Sequence, residues 1–126
     1  MIYLFITALI LSATCKAVMD TIRFNSKVKN LGTWWNIDES WKLKWKNGDP
    51  EQGERFFGSS TIFVSYTDAW HCFQHFFLFF MFTAMIIYPH AINTDWSWWV
   101  ILHFLGIYAI FTGSFELIYK LLTPNK

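Results

Sequence analysis

Charge is what this chain has least of. Only 15% of its 126 residues are Asp, Glu, Lys or Arg, and no Lys or Arg occurs between Arg55 and Lys120. With 54% hydrophobic and 21% aromatic residues, a chain of this length is too apolar for an ordinary soluble domain. Cysteine is nearly missing as well. Cys15 and Cys72 are the only two, and both lie inside apolar segments, which argues against a secreted disulfide framework. There is no internal repeat, no low-complexity tract and no composition break that would mark a second domain. The net charge of +1 carries no nucleic-acid signature, and no nucleic-acid partner is expected.

What the chain does have is three apolar segments, each long enough to cross a hydrocarbon core, which takes about 20 helical residues. They run over about residues 2–23, 62–88 and 96–122. The expected fold is therefore an all-α integral membrane protein, a single domain of three transmembrane helices. Within the first segment, the hydrophobic N-terminal run ends in Ser12-Ala13-Thr14-Cys15, which resembles a signal-peptide or lipoprotein cleavage region. No basic residue precedes the apolar run, however, and Thr14 is a poor residue before a lipidated cysteine, so a retained helix is expected. Pro89 is expected to close the second helix. Asn93-Thr94-Asp95 then makes a short turn, and Trp96-Ser97-Trp98-Trp99 an interfacial aromatic belt.

Basic residues set the expected orientation. If all three segments span, every Lys and Arg falls toward the side shared by the loop 24–61 and the C-terminal tail, and none lies in 89–95. The positive-inside rule then puts loop and C-terminus in the cytoplasm and the N-terminus outside, in a plasma or inner membrane. Within the loop, Trp34, Ile37, Trp41 and Trp45 recur at helical spacing and share one face. This predicts an in-plane amphipathic helix that binds the bilayer or a partner protein. The alternative is a loop that packs onto its own bundle. Gly58-Ser59-Ser60-Thr61 offers hydroxyl caps for the second helix. Thr67 with Asp68 would instead cap a shorter one.

The polar residues inside the spans are the candidate site, because ionisable groups at membrane depth are costly and commonly functional. Asp68, His71, Cys72 and His75 share one face of the second segment. Counted at about 1.5 Å per residue, they lie with Lys16, Asp20 and Glu116 between the bilayer centre and about 11 Å toward the loop side. Ser12, Lys16, Asp20 and Arg23 form a stripe on the first helix, and Tyr108, Thr112, Glu116 and Tyr119 one on the third. The simplest packing turns all three stripes inward. Gly106 and Gly113 lie on another side, where backbones can approach closely.

Several chemistries suit such a set. His71 and His75, four residues apart, can share a divalent metal, with Asp68, Asp20 or Glu116 completing a ligand set for zinc or non-haem iron. There is no His-Glu-x-x-His motif. A haem between His75 and His103 is disfavoured by about 9 Å of depth difference. The same groups can relay protons in an oligomer, or act as acid and base on an anionic lipid held by the loop lysines. No nucleophile paired with a base and no glycine-rich phosphate cradle is present. The blander reading pairs Lys16 with Asp20, uses Asp68 as a helix cap and leaves a satisfied polar core. Two functions follow: a non-enzymatic membrane subunit or scaffold with a structural polar cluster, or a membrane-embedded metal-binding, lipid-modifying or proton-handling protein.

Overall fold

The computed structural model describes residues 1–91 and 99–124. Within them the chain is helical, with long helices α1 (Ile2–Phe24), α3 (Ala69–Ala91) and α4 (Trp99–Leu122), and a single turn α2 (Ser26–Lys29) directly after α1. Each long helix contains a stretch apolar and long enough to span a membrane. The expected turn 93–95 and most of the aromatic belt lie outside the described residues.

These segments form helices because their polar groups are satisfied locally. Thr7, Thr14 and Thr21 in α1 and Thr83 in α3 donate their hydroxyls to the carbonyl four residues back, each at 2.8 Å. That arrangement suits surroundings that offer no water. α1 lies between the other two. Its small residues Ala8, Ser12, Ala13 and Ala17 are 3% exposed or less, and such residues let neighbouring backbones come close. Ser12 donates to the carbonyl of Phe77 on α3 at 3.3 Å. Phe5, Ala8 and Leu9 pack on Ala84 and Ile87 of α3, with Ile107 and Ile110 of α4 against the same cluster. Phe5 meets the Tyr88 ring with centroids 5.6 Å apart, so α3 runs antiparallel to α1. The end of α4 returns beside the end of α1.

The boundaries of α3 differ from expectation at both ends. It begins at Ala69, not near Ile62, because Val64–Tyr66 forms a 3-10 turn and Asp68 supplies the cap. It continues past Pro89 to Ala91. A proline in the last turn removes one donor only, which a helix that is already ending tolerates.

The loop departs most from the sequence reading. No α-helix covers Trp34 to Trp45; the segment is a series of turns with a 3-10 helix at Ser40–Lys44. Polar side chains near its start hold the backbone in turns: the Asp38 N–H donates to the Asn36 side chain at 3.1 Å, and Gly32 takes φ 136°. Asn and Asp compete with helix in this way, and a helix of so few residues is marginal by itself. Farther on, Trp45 and Glu54 form an antiparallel bridge. The turn they enclose needs the Asn47-Gly48 pair, because both residues are left-handed, at φ 53° and 78°. The loop packs on its own bundle. The Ala69 N–H donates to the Trp34 carbonyl at 2.9 Å, and Trp35 meets Phe73 of α3 at 6.2 Å.

Candidate functional site

The polar groups expected to converge form separate pairs. Asp68, 3% exposed, occupies the cap position of α3. Its Oδ1 accepts the His71 N–H at 2.8 Å, and its carboxylate accepts the His71 Nδ1–H at 2.6 Å to Oδ2. An acidic cap suits the positive end of the helix dipole. One helical turn on, His75 is exposed and its Nδ1 donates to the His71 carbonyl at 3.0 Å. Carboxylates and carbonyls only accept, so in both rings Nδ1 carries the proton and Nε2 is the open acceptor of the neutral form.

On α1, Lys16 and Asp20 form an ion pair at 2.5 Å, one turn apart. Register places it at the level of the α3 cap: Phe5 lies opposite Tyr88 and Ser12 opposite Phe77, so the turns after Ser12 run beside the start of α3. The two pairs share a level without merging. Cys72 is a half-buried free thiol and Cys15 a buried one.

Glu116 does not join them. It is exposed on α4, as is Tyr108, while Thr112 and Tyr119 are half-buried, so the α4 stripe turns inward only in part and Glu116 not at all. Among the described residues no three of His, Cys, Asp and Glu come together as a metal site. The zinc or iron set drawn from His71, His75, Asp68, Asp20 and Glu116 is therefore not assembled: Asp68 is engaged by His71, Asp20 by Lys16, and Glu116 faces outward. Gly106 and Gly113 also fail to bring helices together within the chain, since a Cβ at either would meet nothing within 4 Å. His103 carries a buried Nδ1 without a partner among the described residues.

The loop stripe is likewise divided. Trp34, Ile37 and Trp45 are half-buried while Trp41 is 43% exposed. Sequence reasoning missed Trp35, which makes the ring contact with α3, and it missed Glu54. The Glu54 carboxylate accepts the N–H of Gly58 at 2.9 Å, the N–H of Ser60 at 3.1 Å and the Ser60 hydroxyl. These bonds, the hydroxyl first, hold its pKa below the ordinary carboxylate value. Ser59, fully buried, donates to the Lys44 carbonyl at 2.6 Å. The short spacing from Glu54 to Gly58-Ser59-Ser60, beside the Asn-Gly-Asp-Pro turn, was the available signal for a folded loop.

No protein-family model, no curated protein and no solved structure matches the chain. The functional argument therefore rests on the chemistry of these groups.

Proposed function

We propose that the chain is a non-enzymatic membrane subunit that assembles with another membrane protein along the outward face of α4. The observation that carries this reading is Glu116. It is exposed on α4, a mainly apolar helix whose other ionisable groups include His103 and Lys120, and it has no hydrogen-bond or ion-pair partner among the described residues. It lies six residues before Leu122, about 9 Å into the span at about 1.5 Å per residue. A charged group facing lipid is costly, by about 2.5–3.5 kcal/mol at the bilayer centre and less toward the ends of the span, and a donor on a neighbouring helix relieves that cost. Gly106 and Gly113 supply open backbone for such a neighbour. A partner with a basic or hydrogen-bond-donating side chain fits better than a second parallel α4, which would set carboxylate against carboxylate.

Native electrophoresis of mildly solubilised membranes tests the reading. The wild-type chain is expected in a complex larger than itself, and Glu116→Leu as the free chain with unchanged helical content. A wild type that migrates alone refutes it, and a discrete dimer of this chain replaces the partner with a second copy.

A second reading is acid–base work by Asp68 and His71, favoured by the buried carboxylate that orients the ring and leaves Nε2 open. It requires pH-dependent proton flux in liposomes that His71→Gln abolishes.

A further inference from the structure

The ends of α1 and α4 enclose a cavity of about 330 Å³ that opens to the surface. That volume falls at the small end of ligand pockets, about 300–1,000 Å³. Phe24 and Leu122 supply its apolar wall, and Asn25, Ser26, Lys27 and Thr123 its polar one. No carboxylate lines it among the described residues.

The donors are arranged by the chain reversal. Asn25 leaves the helix in an extended conformation, and its side-chain oxygen accepts the Lys27 N–H at 3.0 Å. That bond fixes the carboxamide and leaves its NH2 group to donate. The Ser26 hydroxyl and the Lys27 ammonium have no partner among the described residues. Thr123, by contrast, is engaged, since its hydroxyl donates to the Tyr119 carbonyl at 2.6 Å. Beside the cavity, the Arg23 guanidinium lies 5.6 Å from the centre of the Phe24 ring. Lys120 stands in the last turn of α4. Lys29 does not contribute, because it is paired with Asp38.

Two helix C-termini meet here, and each brings about −0.5 of an elementary charge. Lys27 lines the cavity, and Arg23 and Lys120 stand within two residues of its lining residues Phe24 and Leu122, so basic side chains outweigh the two termini. That balance suits a singly charged phosphodiester better than a cation. The apolar wall runs from the cavity down onto the exposed flanks of α1 and α4, where Phe24, Leu121 and Leu122 are 56%, 68% and 40% exposed. A headgroup in the cavity would place its acyl chains along those side chains. Basic pockets between spanning helices recognise lipid phosphates in this way.

We propose that the cavity between the ends of α1 and α4 binds the phosphate group of an anionic phospholipid, with Lys27, Ser26 and Asn25 as its donors and Arg23, next to the lining residue Phe24, adding positive charge. The proposal rests on α1 and α4 spanning a membrane. It does not depend on assembly through Glu116.

The test uses the full chain in phosphatidylcholine nanodiscs containing a minor fraction of phosphatidylglycerol, with bound lipid counted by native mass spectrometry after release. One retained phosphatidylglycerol per chain is expected. A basic residue near a membrane surface contributes about fivefold in affinity, so Lys27→Ala should lose about fivefold and the Arg23→Ala, Lys27→Ala double variant about 25-fold. Lys27→Arg should retain binding. Lys46→Ala, which removes a charge from the distant turn, should leave it unchanged. Ser26→Glu, which puts a carboxylate at an exposed position of the cavity wall, should abolish retention with helical content unchanged.

An equal loss in Lys46→Ala would overturn the proposal in favour of diffuse attraction. So would a wild type that stays in the disc without enriching phosphatidylglycerol. Equal competition by soluble glycerophosphate would overturn the lipid as the source of the phosphate. Release of the chain from membranes by alkaline carbonate would instead refute the spanning helices themselves.

Discussion

Helices α1 and α4 run the same way, differ by one residue in length and end side by side, yet the fold uses them oppositely. In α1, 44% of the apolar stretch is buried inside the chain; in α4 none is, and in α3 only 11%. Both carry small residues. Those of α1 are covered by α3 and α4, whereas Gly106 and Gly113 of α4 have open space beyond them. Polar residues follow the same division: Ser12 and the Lys16–Asp20 pair have partners, and Glu116 has none among the described residues. Apolarity alone therefore does not say which helix is the core of a small bundle. In lipid the packing surface is marked by small and polar groups, because apolar side chains gain little by leaving lipid for protein.

The most severe way to break the comparison is to fill both sites. Ala13 is fully buried, and Ala13→Leu should cost about 1–3 kcal/mol by overpacking. Gly113→Ala on α4 should leave the purified chain as stable as before, since the added Cβ meets nothing within 4 Å. Unfolding of both variants in detergent, followed by circular dichroism, checks the contrast. Equal losses would mean that α4 is also core.

A smaller effect is expected at the polar residues. Asp68→Ala removes the acceptor for the His71 N–H and ring, and should destabilise the chain by about 1–2 kcal/mol. Asp68→Asn keeps a cap acceptor and should cost less. Glu116→Ala should not lower the stability of the isolated chain at all. The same unfolding measurement ranks the three, and a Glu116→Ala penalty as large as that of Asp68→Ala would show that Glu116 is held within the chain after all.

The smallest effect belongs to the loop. Hydrogen bonds hold the Glu54 pKa low, so its contribution to loop stability is complete above the ordinary carboxylate value of 4.5. It is lost as pH falls through the lowered folded value. Tryptophan fluorescence of the loop should therefore change on acidification in the wild type. The change should be absent in Glu54→Gln, whose neutral side chain does not titrate. A variant that titrates like the wild type would assign the transition to another group.

How much of this was legible beforehand differs by element. The three long helices followed from long, mainly apolar runs of the length that a span requires. The Lys16–Asp20 pair and the Asp68 cap were also readable, as both are local contacts three or four residues apart. Helical spacing misled at Trp34, Ile37, Trp41 and Trp45. A period in the sequence competes there with Asn36, Asp38 and Gly32, whose local bonds and backbone freedom favour turns.

By itself, then, the sequence determined that there are three long apolar helices, and which polar residues sit a turn apart. Only the tertiary structure decided that α1 lies between the others, that Glu116 faces outward, and that no three ligating groups meet among the described residues. The direction each stripe faces depends on the rotation of one helix against another. That rotation is set by contacts such as Ser12 with Phe77 and Phe5 with Tyr88, between residues far apart in the chain. No local rule encodes it.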